Sequence, residues 1–458
     1  MYRSILSGLV AILGQVVAEP MNIIAVVTDD QSLWSVGCYG QSDIETPHMD
    51  SLARDGAKFT NAFVNAPVCS PSRATYLTGR HASELEITDW LTGGQSKKLG
   101  LSKKFVSWPE VLRRKGYTTG LVGKWHLGSA DAYKPGANGF DYFVGNLSGG
   151  WSPKKNVFVN QHGEMKEYPG FSVDITTDLA LDFIEEQKEE PFALLVHYRE
   201  PHAPYGPMPQ QDEEKTKGLK PKLPDYPGLK PHTQKLMRDY LTAVASVDRN
   251  LGRIIDKVEE LGLSENTVVM FTSDHGYNMG HHGLRFKGNG YWLVEGKNGC
   301  RPNMYESSLR VPLLVKWPKV VKPGTVIEAE TANVDTFASV LGMLGVKEVP
   351  KNQGYDFSKL LRGEKVDSWR EGVFGQYHMV NDAKHSMRMW RKDGWKLVRH
   401  YRVDGKDELY HLKKDPSEAR NLYGNAEYAR IQKELQSELD AKMEALGDDP
   451  SMKPVQAR

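Results

Sequence analysis

Residues 22–28 read Asn-Ile-Ile-Ala-Val-Val-Thr, and this unbroken β-rich run constrains the fold more than any other feature of the chain. A strand with one wet face alternates apolar and polar residues, whereas one covered on both faces reads as a continuous apolar run. Beyond this run the chain alternates strand with helix. Ser107-Trp108-Pro109-Glu110 is a helix start, with Ser as N-cap, Pro in the first turn and Glu three residues after the cap. That helix is expected to end at Gly116, before a strand-like stretch at 118–122. Helical spacing recurs at 177–188 and 240–261, and short apolar strands at 192–196 and 267–272. Strands alternating with helices predict an α/β fold, with a large, mostly parallel sheet flanked by helices on both sides.

After about residue 345 the pattern changes. Strand-like pieces at 372–377, 386–390, 395–401 and 408–411 follow one another with tight turns such as Lys392-Asp393-Gly394, which predicts antiparallel pairing. A last helix over 428–446 carries Ile431, Leu435, Leu439 and Met443 on one stripe, expected to pack on that small sheet. The chain is therefore read as a catalytic domain over 20–345, an antiparallel α+β subdomain over 346–447 and a tail over 448–458. The Pro- and Lys-rich stretch 207–231 is expected to be a long surface loop.

With 39% hydrophobic residues there is ample material for such a core, and the formal net charge of +1 gives no reason for a nucleic-acid partner. A polyanionic substrate would have to be held by a local positive site. Arg3, the apolar stretch 5–17 and Ala18 have the layout of a signal peptide over 1–18. That stretch is shorter than the roughly 20 residues of a membrane-spanning helix, so a periplasmic or secreted protein with no stable membrane anchor is expected. Three cysteines, Cys38, Cys69 and Cys300, leave one thiol over if two pair. Cys38 reads as a small buried residue, and whether it pairs with Cys300, in a Gly-rich loop, is left open by the sequence.

In open parallel sheets, ligands sit beyond the carboxyl ends of the strands. The first strand ends in Asp29-Asp30, and the strand 267–272 runs into Ser273-Asp274-His275-Gly276. Strand neighbours point to opposite faces, so Asp29 and Asp30 reach one centre only if the chain turns between them. A polar strand end with one turn-capping aspartate is the plainer reading. Three carboxylates sharing one face would repel unless a cation sits among them, and oxygen-rich ligation favours Ca2+ or Mg2+, although His275 is less usual for either. Cys69, with Arg73 nearby, stands at the start of a predicted helix, where a thiolate is stabilised.

Cys69-Ser70-Pro71-Ser72-Arg73, continued by Ala74 through Thr78-Gly79-Arg80, resembles the sulfatase signature C-x-P-x-R followed by A-x-x-x-T-G-R, without a mismatch. The resemblance extends over nearly all of the chain after residue 20. Gly37-Cys38-Tyr39-Gly40 and Thr46-Pro47-His48-Met49-Asp50 are similar to the family's opening, Gly123-Lys124-Trp125-His126-Leu127-Gly128 to its G-K-W-H-x-G element, and Pro201-His202-Ala203-Pro204 to its P-H-x-P element. Ser273 to Gly276, Tyr305-Glu306 and Arg310-Val311-Pro312 are similar to its S-D-H-G and Y-E-x-S-x-R-V-P pair. The implied fold is alkaline-phosphatase-like.

The resemblance implies that Cys69 is oxidised to formylglycine by a formylglycine-generating enzyme, and that its hydrate is the nucleophile. It implies Ca2+, with Mg2+ as the alternative, on Asp29, Asp30, Asp274, His275 and the matured Cys69. It assigns Arg73 and Lys124 to holding the hydrate, His126 to deprotonating it, and His202 to the sulfate and bridging oxygen. Taken singly, Lys124, His126 and His202 would pass for surface or satisfied core residues, and only their joint occurrence with the cysteine motif singles them out. The family's sulfate-binding lysine stands a few residues before the Tyr-Glu pair, where this chain has Arg301. Lys287, in His281-His282-Gly283-Leu284-Arg285-Phe286-Lys287-Gly288-Asn289, is the better match if 291–299 is an insertion. A sulfated carbohydrate is the expected substrate. The alternatives are small aryl sulfates, phosphonate or phosphate esters, and a non-catalytic binder of sulfated glycans. Trp34, Trp90, Arg199, Tyr205, Arg285 and Trp292 are candidates for contacting a sugar or a second anionic group, or else plain core aromatics and surface charges.

Overall fold

The computed structural model describes residues 20–402, 406–451 and 454–457, so the expected signal peptide over 1–18 lies outside the described residues. Ten strands form one sheet: β1 Asn22–Thr28, β2 Ala57–Phe59, β3 Thr118–Lys124, β4 Tyr142–Asn146, β5 Asn156–Asn160, β6 Met165–Tyr168, β7 Phe192–His197, β8 Thr267–Ser273, β9 Leu313–Lys316 and β10 Thr325–Ile327. Their spatial order is β10-β2-β9-β8-β1-β7-β3-β4-β5-β6. The central block β8-β1-β7-β3-β4 is parallel throughout, so its carboxyl ends share one edge. Antiparallel strands β9 on one side and β5 and β6 on the other make the sheet mixed.

The apolar run of β1 is buried on both faces. Ile23, Ala25 and Val27 enter one apolar cluster, and Ile24 and Val26 enter the other. Helices α1 Cys69–Thr78 and α2 Trp108–Arg113 cover the first face, through Ala74, Leu77, Trp108 and Leu112. Helices α3 Ser172–Gln187 and α4 Thr233–Glu260 cover the second, through Val173, Phe183, Leu241 and Val244.

Some boundaries differ from expectation for local reasons. The Ser107 hydroxyl accepts the Glu110 N–H at 3.2 Å, as the cap motif predicts. The helix nevertheless closes at Arg113, because the N–H groups of Lys115 and Gly116 bond the carbonyls only three residues back, Leu112 at 2.8 Å and Arg113 at 3.1 Å, which tightens the chain into a turn. Gly116 lies beyond it, in a turn at φ 91°. The stretch 207–231 is not all loop: Gln210–Lys215 is helical. Asp212 in that helix is buried against α4, accepting from Ser246 at 2.7 Å and from Arg249 at 2.9 Å.

The C-terminal strands β11 Val373–Met379, β12 His385–Lys392, β13 Trp395–His400 and β14 Glu408–His411 form an antiparallel meander. Helix α5 Ala429–Leu446 lays Leu435, Leu439 and Met443 on Phe374, Trp390, Leu397 and Leu409, with Ile431 at the margin. The opposite face of this sheet sends Val373, Tyr377, Met387 and Met389 into the first apolar cluster of the large sheet. Cys38 and Cys300 are both free thiols, Cys38 packed against one of the two large clusters and Cys300 against the other. No helix among the described residues is long and apolar enough to cross a membrane.

Candidate active site

Four adjacent parallel strands deliver their following residues to one place. Asp29 and Asp30 follow β1, Asp274 and His275 follow β8, Lys124 ends β3 shortly before His126, and His202 follows β7. Asp30 has φ 70°, a left-handed turn that brings two chain neighbours to the same centre. Backbone bonds lock the strand ends together, Asp274 N–H to the Thr28 carbonyl at 3.0 Å and Asp29 N–H to the Glu200 carbonyl at 3.2 Å.

Cys69, the first residue of α1, points its sulfur into this group. Its Sγ lies 3.3 Å from His275 Nε2, 3.4 Å from Lys287 Nζ and 3.5 Å from Asp29 Oδ1. Asp29, Cys69, Asp274 and His275 place one ligand atom each within 4.8 Å of the others, as do Asp29, Asp30 and His202. Asp30 Oδ2 is buried without a hydrogen-bond partner. Buried, partly unpartnered carboxylates beside one imidazole suit a hard divalent cation.

Positive side chains surround the same atoms. Lys124 donates to Asp29, and Lys287 Nζ donates to Asp30 Oδ1 at 2.8 Å. Arg73 Nε donates to Asp274 Oδ2 at 2.9 Å, and its Nη2 is buried and unpartnered. Burial pushes the Cys69 thiol up and Asp29 adds to that, yet Lys124, Lys287 and His275 outweigh both and bring it to about 6. Burial raises Asp30 to about 6 despite Lys287 and His275. Asp29 is buried too, but Lys124, His202 and Arg73 hold it well below the usual carboxylate range.

His126 stands in a left-handed conformation at φ 58°. Its Nε2 faces the Leu91 carbonyl at 2.9 Å, and its Nδ1 has no partner. Burial, reinforced by Lys124, lowers its pKa to about 3, so the ring is neutral. Gly149 permits this placement, since a Cβ there would come 2.4 Å from the ring. His202 Nδ1 lies 2.6 Å from the Ala203 carbonyl and its Nε2 3.8 Å from Asp30 Oδ2. Cys69, His126, His202 and Lys287 together line a cavity of about 570 Å³.

All ten residues singled out in the sequence thus converge. Arg301 does not join them. Its guanidinium bonds the Tyr305 hydroxyl at 3.1 Å and Glu408 of β14 at 3.4 Å. Residues 291–292 add a short strand antiparallel to Leu284–Phe286, so this segment folds back as a hairpin. Of the six sugar-contact candidates only Trp90 lines the cavity. Trp34 packs on Tyr240 and His281. Arg199 is fully buried and donates to the His202 and Pro204 carbonyls. Tyr205 and Arg285 line a separate groove, and Trp292 packs against Lys297 and the Leu284–Tyr305 cluster. Sequence reasoning missed His197, whose Nδ1 is 3.1 Å from Arg73 Nη1, and it missed Asn289, Tyr291 and Asp382 on the cavity wall. Asn289 closes the same run that contains Lys287, the one signal that pointed to it.

Comparison with known proteins agrees with this geometry. Residues 21–346 match the sequence profile of the family described as Sulfatase, and residues 300–445 that described as N-sulphoglucosamine sulphohydrolase, C-terminal. The N-acetylglucosamine-6-O-sulfatase of Bacteroides thetaiotaomicron is 29% identical over 521 residues, covering 94% of this chain and 88% of the relative. The ulvan-active sulfatase of Formosa agariphila is 28% identical over 442 residues, covering 93% and 82%. A protein solved in complex with its substrate D-glucosamine-2-N,6-O-disulfate superposes with a TM-score of 0.83 at 27% identity, covering 95% of this chain and all of that one. With most of its length matching the family and its motif residues gathered at one strand edge, the chain belongs to the type I sulfatases of the alkaline-phosphatase superfamily and is a sulfuric ester hydrolase.

Proposed function

We propose that the enzyme hydrolyses sulfate monoesters of a carbohydrate, using a formylglycine hydrate made from Cys69 and a calcium ion held by Asp29, Asp30, Asp274, His275 and the matured side chain. The observation that carries this reading is the burial of Cys69 at the floor of a cavity, among two lysines, Arg73 and the aspartates. The relatives that act on N-acetylglucosamine 6-sulfate and on ulvan support a sulfated carbohydrate as substrate. A bound Ca2+ supplies positive charge for the oxygens that gain negative charge as the sulfuryl group transfers.

The chain's own groups account for the rest. Lys124 and Arg73 orient the hydrate, whose one hydroxyl attacks sulfur as the bond from sulfur to the sugar oxygen breaks, the proton of the attacking hydroxyl passing to the departing sugar oxygen. Lys287 and His202 face the sulfate oxygens. With Nε2–H directed at the Leu91 carbonyl, His126 keeps a lone pair on Nδ1 to take the proton of the second hydroxyl. Loss of that proton restores the aldehyde and expels sulfate, a step closed to a serine or an unmodified cysteine. Residues 1–18 would carry the chain to the periplasm or outside the cell, and a formylglycine-generating enzyme is the partner that matures it.

Mass spectrometry of the Cys69 peptide should find it lighter than cysteine requires. Material expressed without a converting enzyme should fold and turn over little, and Cys69→Ala should be inactive. Full-rate hydrolysis by protein shown to hold an unmodified thiol would overturn the mechanism. Rates measured side by side on sulfate and phosphonate esters should favour sulfate. Exhaustive chelation should abolish turnover and lower the Tm, with Ca2+ restoring both, because the buried aspartates would otherwise repel. Full activity in protein that elemental analysis shows to be metal-free would exclude the calcium assignment.

A further inference from the structure

Above the floor formed by Cys69, His126, His202 and Lys287, the cavity wall is built from chemistry of a different kind. Trp90, Phe286 and Tyr291 offer rings, and Asn289 and Asp382 offer oxygens. At about 570 Å³ the space falls within the roughly 300–1,000 Å³ of small-ligand clefts. Asp382 lies in the turn between β11 and β12, yet three donors from two other segments meet its carboxylate. Asn289 Nδ2 approaches at 2.6 Å, the Tyr291 hydroxyl at 3.3 Å and the Trp90 indole N–H at 3.4 Å. With its amide nitrogen turned to Asp382, Asn289 leaves Oδ1 buried and without a partner. Among the described residues no cation pairs with Asp382, and Lys287, the one Lys or Arg lining the cavity, is tied to Asp30.

We propose that Asp382 and Asn289 select the sugar, so that the enzyme prefers a ring carrying a single sulfate and otherwise uncharged. This selectivity rests on a carbohydrate being the substrate. The wall presents acceptors: a carboxylate has about four lone-pair sites, of which three are used, and the Asn289 oxygen has both of its own free. Ring hydroxyls are donors that satisfy them, and the aromatic rings cover the apolar edge of a sugar. A second sulfate or a uronate on the same ring would face an uncompensated carboxylate and an acceptor with nothing to accept. That is discrimination through repulsion, and it acts in a partly closed site where charges are poorly screened.

The test uses matured enzyme and the sugar monosulfate it turns over best in a screen, paired with the same ring carrying a second sulfate. Wild type should favour the monosulfate at least tenfold in kcat/KM, and the preference should shrink as ionic strength rises. Asp382→Asn should close the gap at least fivefold, mainly through KM. Asn289→Asp, which adds a carboxylate, should widen it. A merely structural role for Asp382 would slow both substrates alike and leave the ratio unchanged. Thermal melting and the extent of Cys69 conversion show whether each variant is folded and mature, and the salt dependence of wild type needs no variant at all. Equal or better turnover of the disulfated ring by wild type, or a ratio that neither variant moves, would overturn the selectivity while leaving the carbohydrate reading intact. Turnover of aryl sulfates with none of any sugar sulfate would overturn both.

Discussion

Asp30 and Asp29 occupy one site because a single torsion departs from strand geometry. In an extended chain their carboxylates would point to opposite faces, and the φ of 70° at Asp30 brings them to one side. Lys287 and Arg301 show the same sensitivity to local placement. The Lys287 loop is pinned at Cys69 by the Gly288 N–H on the Pro67 carbonyl at 3.0 Å and by Asn303 Nδ2 on the Lys287 carbonyl at 2.8 Å. Arg301 instead ties the hairpin to the C-terminal sheet. Lys287→Ala should therefore lose a charge-assisted contact in a dry site, at a cost of about 2.7–4 kcal/mol in kcat/KM, roughly a hundredfold to a thousandfold. Arg301→Ala should leave kcat/KM within a few-fold and lower the Tm instead. The reverse ranking in kcat/KM would show that Arg301 holds the sulfate. The floor of the site was legible because its residues lie in short motifs at strand ends. Asp382 was not, since it reaches the cavity through the packing of β11 and β12 on the large domain, and nothing in the spacing of Val380-Asn381-Asp382-Ala383 signals that.

Helix α5 illustrates what periodicity can foretell. Leu435, Leu439 and Met443 recur every four residues and all three are buried on the small sheet, Leu439 completely. Leu439→Ala removes buried methyl groups and leaves a cavity, so it should cost about 2–5 kcal/mol. Urea denaturation followed by tryptophan fluorescence would report it through Trp390, which packs in the same cluster. A loss below about 0.5 kcal/mol, the range of exposed surface changes, would mean that α5 is only loosely docked. Where periodicity is absent, the sequence stays silent. The helix Gln210–Lys215 reads Gln-Gln-Asp-Glu-Glu-Lys and has no apolar stripe. It is held by a buried carboxylate on Ser246 and Arg249, a tertiary contact invisible to any local pattern. The first turns of α3 and α4 were missed for a related reason. Thr176 and Thr233 are buried there, although polar residues ordinarily mark a boundary.

The whole molecule is one body because the small sheet shares a core with the large one, and His81 sits at that seam. It precedes the short helix Ala82–Leu85, and its ring meets Phe374 of β11 edge-on at 5.4 Å. The residue is 2% exposed, and Nδ1 has no partner. Burial pushes its pKa down to about 3, and Lys442 and Arg370 add to the effect. In the unfolded chain the same imidazole titrates near 6.5. Between these values the unfolded chain binds a proton that the folded protein refuses. The contribution to stability is therefore complete above about pH 6.5 and is lost as pH falls toward 3. Each pH unit in that window costs about 1.4 kcal/mol for a histidine of this kind. His126, His378 and His385 are depressed too, so wild type should weaken steeply in acid whatever His81 does. A variant that cannot titrate isolates the one residue. His81→Leu carries some fixed packing cost, but its stability should fall more gently with pH, by about 1.4 kcal/mol per unit between pH 6 and pH 5. Urea unfolding at pH 7.5, 6 and 5 in saturating Ca2+ measures both slopes. Parallel lines for the variant and wild type would mean that His81 takes up its proton in the folded state, and that the seam admits water.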